Sequence, residues 1–314
     1  MDRGWPTALG LAGGLALDAL LADPRRGHPV AAFGALAARA EQRVYRDSRP
    51  AGAGYALALT GGSAALGLAL SRPLRRPGGL AAMTAVATWA VVGGTTLRRE
   101  AATMHRLLAD DDLEAARQRL SHLCGRDASE LDPAGLARAT VESVAENTSD
   151  AVVGPLFWGA VAGVPGLLAY RAINTLDAMV GHRSERYGRF GWAAARLDDF
   201  ANLGPSRLTA GLTTLLAPTV GGRRSAAWRA WRRDGGKHPS PNAGPVEAAF
   251  AGALGRTLGG ELSYSGRVES RPLLGDGPAP SIDDIPRAAQ LSARVALAAG
   301  GLVVAVPPLV RKLR

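Results

Sequence analysis

Charge-free stretches recur along this chain at lengths that suit a membrane. Residues 50–71, 77–97 and 151–170 carry no Asp, Glu, Lys or Arg. Each comes close to the roughly 20 residues that cross a bilayer as a helix. Shorter charge-free runs occupy 4–17, 208–222 and 295–310. Alanine and glycine dominate them, which dilutes hydropathy but permits close helix packing in lipid. The pattern predicts an all-α, polytopic membrane protein with about four to six embedded helices joined by large polar loops.

Between these runs the periodicity changes. Residues 35–49 read as an amphipathic, Arg-rich helix near the membrane surface. The segment 98–150 is polar and helical, with Met104, Leu107, Leu108, Leu113 and Leu120 at roughly helical spacing. Within it "DDDLEAARQRL" starts acidic and ends basic, as a helix dipole favours, so its Asp run reads as a solvated first turn. Residues 223–290 form the longest polar loop, rich in Gly and Pro. The first 22 residues read as a retained helix, because Asp18 interrupts the apolar run and no small-x-small cleavage site follows. The whole chain, 1–314, reads as one membrane-embedded domain.

Charge and cysteine usage narrow the function classes. The formal charge is +10 over 314 residues, and Lys237 and Lys312 are the lysines among many arginines. The arginines are spread over every loop and are not gathered in a stripe with aromatics, which argues against nucleic acid and fits cytoplasmic membrane loops. One cysteine, Cys124, excludes an internal disulfide and a Cys-based zinc site, and the five His share no close ligand spacing. No GxxxxGK[ST], no GxGxxG after a strand and no GxSxG occurs, so a P-loop, a NAD or flavin site and an α/β-hydrolase are unsupported.

Four polar clusters touch the apolar runs. In "DPRRGHPV" (23–30), Arg25, Arg26 and His28 suit a phosphate or carboxylate, or a plain positive-inside anchor. "VESVAENTSD" (141–150) places Glu142, Glu146 and Asp150 at i, i+4 and i+8, with Asn147 beside them. On one helix face these acids repel one another, so they either meet a cation such as Mg²⁺ or face water. From 170 to 207, Arg171, Asn174 and Asp177 recur every third residue, as do Arg196, Asp199 and Asn202, with Asp198 adjacent. Ionisable groups this close to lipid usually face a functional cavity, although ion pairs between helices would also satisfy them. The fourth cluster is "KHPSPNAG" (237–244), with Lys237, His238, Ser240 and Asn242 in a Pro- and Gly-rich loop that leaves backbone N–H groups open to an anion.

Taken together these stretches resemble one family. "GRD" (125–127), "RATVESVAENTSDAVVGPLFW" (138–158), "YRAINTLDAMVGHRSERYGRFGWAAARLDDFANLGPSRLTA" (170–210), "KHPSPNAG" and "LGGELSYSG" are similar to the cobalamin-biosynthesis CobD/CbiB family, the adenosylcobinamide-phosphate synthases. "DPRRGHPV" fits as well, and the similarity covers nearly the whole chain in order. The resemblance implies a multi-pass protein of the cell membrane with its active site facing the cytoplasm. It implies an ATP-dependent ligase joining adenosylcobyric acid to (R)-1-aminopropan-2-ol O-phosphate, or to free aminopropanol. ATP and Mg²⁺ are then cosubstrates, and other membrane-bound enzymes of cobalamin assembly are candidate partners. The alternatives are a non-catalytic membrane sensor of the AmpE type and a transporter for a corrinoid or an anion.

Residue chemistry then distributes the roles. Glu142, Glu146 and Asp150 are expected at the metal or the amine, Glu146 and Asp150 being the Mg²⁺ pair, with Asn147 as a positioning donor. Asp198 and Asp199 are a second candidate for the metal. Arg25, His28, Arg171, Asn174, Asp177, Arg196, Asn202, Lys237, His238, Ser240 and Asn242 are expected at the substrate or its phosphates. One difficulty remains in the topology. If 151–170 and 204–222 both cross fully, the third cluster faces the side opposite the second and fourth. At least one segment is therefore expected to be re-entrant, broken near Pro155, Pro165 and Gly166 or near Pro218.

Overall fold

In a computed structural model of the chain, each of the charge-free runs folds as helix. The structure describes residues 4–24, 27–74, 76–125, 127–182, 184–264 and 267–312, with side chains for all of these except 261–270 and 306–312. In chain order the helices are α1 (Gly4–Leu21), α2 (Pro29–Val44), α3 (Arg49–Ser71), α4 (Pro77–Val91), α5 (Gly94–Ala109), α6 (Leu113–Leu120) and α7 (Pro133–Thr148). They continue as α8 (Gly154–Leu176), α9 (Tyr187–Phe190), α10 (Trp192–Ala201), α11 (Leu203–Leu216), α12 (Arg224–Asp234) and α13 (Ala243–Leu254). Two strands, β1 (Leu258–Tyr264) and β2 (Arg267–Leu274), precede α14 (Asp284–Lys312). Among the described residues, Gly4–Leu21, Arg49–Ser71, Pro77–Ala109, Pro133–Gly181 and Asp284–Ala305 are long and apolar enough to cross a membrane. The polytopic helical architecture stands. Its exception is the antiparallel β1–β2 pair, in a stretch whose sequence reads as loop.

The chain forms two compact units. One comprises Met1–Gly93, Asp150–Gly204 and Ala299–Arg314, and the other Gly94–Ser149 and Pro205–Ala298. In the first, α1 lies close against α4. A Cβ added at Gly10 would sit 2.4 Å from the Thr84 Cβ, and one at Gly14 would sit 2.3 Å from that of Thr88. The two contacts advance together along both helices, so α1 and α4 run parallel through a small-xxx-small seam. The threonine hydroxyls donate back to the carbonyls of Leu80 and Thr84, at 2.9 and 2.7 Å, and leave no polar demand on lipid.

The decisive feature of this unit lies inside α8. Gly163 has φ 64° and ψ −147°, a conformation essentially reserved for glycine, and Pro165 follows it. Around this point the helix folds back on itself. A Cβ at Gly166 would lie 2.2 Å from the Trp158 carbonyl oxygen, and one at Gly154 would lie 2.1 Å from the Tyr170 hydroxyl. A straight helix rising 1.5 Å per residue would hold each of these pairs more than about 10 Å apart. The run 151–170 is thus a helical hairpin with arms 154–162 and 164–176, each well short of the roughly 20 residues needed to span a bilayer. The expected break occurs at Gly163, with Pro165 just beyond it. α3 packs on the tip, where a Cβ at Gly67 would be 2.7 Å from the Pro165 Cα.

In the second unit, α7 is core and not a surface loop. Leu136, Ala137, Ala139, Val141, Val144 and Ala145 are all fully buried. The Thr148 hydroxyl donates to Ser292 on α14 at 2.7 Å. The β hairpin is fastened to α7 by Glu142, whose carboxylate accepts the N–H of Gly259 at 2.8 Å. Gly259 and Gly260 both have positive φ, and the register shifts between Leu258 and Gly260. This bulge lets the strand turn its N–H toward α7.

Candidate functional site

The mouth of the α8 hairpin gathers polar groups from distant parts of the first unit. Asn174 donates its Nδ2 to Asp150 Oδ2 at 3.3 Å, and its Oδ1 accepts from Arg171 Nη1 at 3.4 Å. Tyr170, buried at the same level, donates to Asn202 Oδ1 at 2.8 Å and lies 3.3 Å from the Asp150 carbonyl oxygen. Asn202 in turn donates to Asp198 Oδ2 at 3.0 Å. Asp198, Asn202, Tyr170, Asp150, Asn174 and Arg171 therefore form one connected network at the end of an otherwise apolar bundle.

Arg171 ends this chain of contacts, joined to it through Asn174. Asp23 and Asp150 both act on it electrostatically. Its Nε is buried and has no hydrogen-bond partner among the described residues. A buried guanidinium donor without an acceptor is costly unless an anion completes it. Gly93, at the end of α4, reaches the same place, donating its N–H to the Ala151 carbonyl at 3.0 Å. The arrangement brings carboxylates that suit a cation and an arginine that suits an anion to one half-buried place beside an apolar run.

The second unit holds a separate, tightly closed cluster. Asp234, nearly fully buried at the end of α12, accepts from Arg233 Nη2 at 2.6 Å, Lys237 Nζ at 2.8 Å and the Gly275 N–H at 2.9 Å. His238 Nδ1 accepts the Ser240 N–H at 3.0 Å, and its Nε2 faces Glu247 Oε1 at 4.0 Å. With Nδ1 used as an acceptor, the ring proton belongs on Nε2 toward Glu247. The Ser240 hydroxyl caps α13 by accepting from Ala243 N at 3.2 Å. Asn242 Oδ1 accepts from Ser206 at 3.1 Å and from Arg207 at 2.8 Å. Among the described residues no group of three or more His, Cys, Asp or Glu side chains is placed to hold a metal ion.

The family model described as CobD/Cbib protein matches residues 11–292. The chain belongs to the CobD/CbiB family. Among curated relatives, "Cobalamin biosynthesis protein CobD" of Mycobacterium tuberculosis is 55% identical over 303 residues, covering 96% of each chain. The protein of that name from Chromobacterium violaceum is 46% identical over 292 residues, covering 91% of this chain and 92% of the relative. That of Rhodobacter capsulatus is 43% identical over 299 residues, covering 94% and 88%. No solved structure matches.

Within this CobD/CbiB member the predicted site residues fall into several groups. Asp150, Arg171, Asn174, Asp198 and Asn202 converge at the hairpin mouth. Asp177 begins the π-turn after α8, with its Oδ1 packed against Gly181. Arg196 and Asp199 form a more exposed pair at 3.4 Å. His28 caps α2 by accepting the Val30 N–H at 3.1 Å, and its Nε2 lies 3.5 Å from Asp23. Arg25 and Arg26 lie outside the described residues.

The acidic stripe of α7 does not persist as one face. Glu142 is buried on Gly259, whereas Glu146 is exposed. The regular helix ends at Thr148, and Asp150 lies inside a π-helical turn over Ser149–Val153, in the first unit. Asn147 donates back to Ser143 O at 2.9 Å and to Leu123 O at 3.5 Å, tying its helix to the preceding turn. Tyr170, Asp23, Asp234 and Glu247 were not singled out by the sequence. Tyr170 carried the best available signal, as the last residue of a charge-free run directly before Arg171.

Asp234 yields a pH-dependent expectation. Burial alone would raise its pKa, but hydrogen bonds from Arg233, Lys237 and Gly275 and the charge of Arg233 outweigh it and hold the carboxyl well below the usual range. A depressed carboxyl contributes stability above its unfolded pKa of about 4 and loses it as pH falls through the lower folded value. Asp234→Asn is therefore expected to destabilise the protein at neutral pH by about 2 kcal/mol, since the charged partners are half exposed. It should also flatten the acid limb of the thermal-stability profile. Parallel acid limbs in the variant and the wild type would contradict this assignment.

Proposed function

We propose that this chain is a ligase of cobalamin assembly, joining the free carboxylate of adenosylcobyric acid to the amine of aminopropanol or its phosphate at the expense of ATP. The supporting observation is the buried Arg171 Nε, without an acceptor among the described residues, at the end of a carboxylate–amide network. A carboxylate and an amine do not condense until one oxygen becomes a leaving group. In the reading adopted here, a substrate carboxylate oxygen takes the terminal phosphoryl group of ATP and ADP leaves. The amine nitrogen then attacks the acyl carbon, loses a proton and expels phosphate.

Each step makes a demand that the network suits. Arg171 would hold an oxyanion that gains charge as the carbonyl is attacked. Asp150, kept in place by Asn174, would bind the ammonium and accept its proton. Tyr170 and Asn202, hydrogen-bonded to each other, would hold the network in place. Nucleotide-borne Mg²⁺ needs only one or two protein carboxylates, and Asp150 and Asp198 fit that donor set better than the exposed Glu146. The metal would supply charge neutralisation on the phosphates.

The test is a ligase assay on detergent-purified protein with adenosylcobyric acid, Mg-ATP and aminopropanol with or without its phosphate, followed by mass spectrometry. Wild type is expected to form the amide, folded Asp150→Asn to lose it, and Glu146→Gln to keep most of it. Loss in Glu146→Gln with retention in Asp150→Asn would move the site to α7. No product from folded wild type with either amine would favour the sensor or transporter reading.

A further inference from the structure

One surface of the second unit has a chemistry that the ligase reading does not use. On α12, Arg224, Trp228 and Arg232 lie at i, i+4 and i+8, so they form one stripe, and all three are exposed. Arg229 and Arg233 flank it. Trp228 is 49% exposed, stacks edge-on with Trp231 at 5.2 Å between centroids, and carries the Arg232 guanidinium 5.8 Å from its ring. Tryptophan and arginine together on an exposed helix face are the composition that settles at a membrane–water boundary.

Beside the first turn of α12 is a cavity of about 220 Å³, lined by Gly221, Gly222, Arg223, Arg229, Gly255 and Asp276, among others. The charge of Asp276 is already offset by Arg233 at 2.9 Å. Arg223 and Arg229, in contrast, make no side-chain hydrogen bond or ion pair among the described residues. Glycine forms much of the wall, and Gly222 is needed there because a Cβ would lie 1.9 Å from the Ala253 carbonyl oxygen. The net result is a backbone-walled recess with two cations open to an anion.

The level of this recess is fixed by α14. Arg294 donates to the Thr219 carbonyl, and Arg287 donates to the Val220 carbonyl at 3.0 Å. Arg294 is the last charged residue before the apolar run 295–310. The turn that leads into α12 thus sits where α14 passes from polar to apolar. Leu297, three residues past Arg294, is exposed on the apolar side of that boundary.

We propose that α12 is an interfacial anchor that docks on the anionic lipid surface of the bilayer, with a lipid phosphate seated between Arg223 and Arg229 and Trp228 inserted at the acyl boundary. This places the Arg233–Asp234–Lys237 cluster at the end of a helix held by lipid, and it does not depend on the ligase reading. The test uses the full-length protein. Trp228 insertion is read in nanodiscs as quenching by lipids brominated near the headgroup, taking wild type minus Trp228→Phe as the Trp228 signal. Headgroup choice is read in detergent as binding of fluorescent short-chain phosphatidylglycerol against the phosphatidylcholine of the same length.

The Trp228 signal is expected to be quenched. The preference for phosphatidylglycerol is expected to fall about fivefold for each of Arg223→Gln and Arg229→Gln. An unquenched Trp228, or an unchanged preference in the double variant, overturns the proposal. So does full displacement of the lipid by millimolar inorganic phosphate, which would make the recess a site for a soluble anion. The quenching arm needs no arginine variant, so it stands even if the double variant does not fold.

Discussion

Arg171→Lys is expected to form product at least about a hundredfold more slowly than wild type while keeping its fold. Lysine preserves the positive charge that balances Asp23 and Asp150, so the unit should still assemble. It cannot reproduce the planar guanidinium or the Nε donor that now points at no acceptor. If that donor meets an oxyanion that develops during reaction, the loss falls on kcat. If it only binds ground-state carboxylate, KM rises and kcat stays. A folded Arg171→Lys with both parameters within a few-fold of wild type would remove Arg171 from the reacting centre and leave it as part of the bundle's charge balance. Circular dichroism and size-exclusion profiles of the variant decide whether the fold was kept.

Gly163→Ala is expected to lower the thermal midpoint sharply and to reduce activity with it. Its conformation, φ 64° and ψ −147°, costs a side-chain-bearing residue about 1–3 kcal/mol. Space is not the cause, because the nearest atom to an added Cβ is 4.0 Å away. The penalty is in the backbone, and relief of it means straightening the hairpin. Straightening would separate Asp150 from Asn174, whose hydrogen bond closes the mouth. Gly166→Ala acts differently, since its Cβ would strike the Trp158 carbonyl and push the arms apart. Thermal unfolding in detergent, read together with turnover, tests both variants. Wild-type stability in Gly163→Ala would mean that the turn readily adopts another conformation.

The sequence by itself determined the helical membrane architecture. Runs without charge at bilayer length admit few folds, because an unsatisfied backbone cannot lie in lipid. It also determined which polar segments border those runs, and through several long motifs in order it pointed to the CobD/CbiB family. Asp150, Arg171, Asn174, Asp198 and Asn202 were legible as candidates because charged or amide groups at the end of an apolar run are rarely there without reason.

Which of these groups meet was decided by the tertiary structure. The periodicity of α8 is helical on both sides of Gly163, and Pro165 predicts a kink as readily as a reversal, so nothing local pairs Asp150 with Asn174 across 24 residues. The three acids at i, i+4 and i+8 looked like one surface. Asp150 falls past the end of α7 in a π-turn, and burial separates Glu142, held by Gly259, from exposed Glu146. The strands are hard to read from sequence because the alternation in "LGGELSY" is confined to its last four residues, behind the paired Gly259 and Gly260 where the register shifts. By sequence Lys237 suits a phosphate, whereas in the fold its charge is met by Asp234, buried three residues before it. Composition and spacing act along the chain, whereas the partner of a polar group is set by what folding brings beside it.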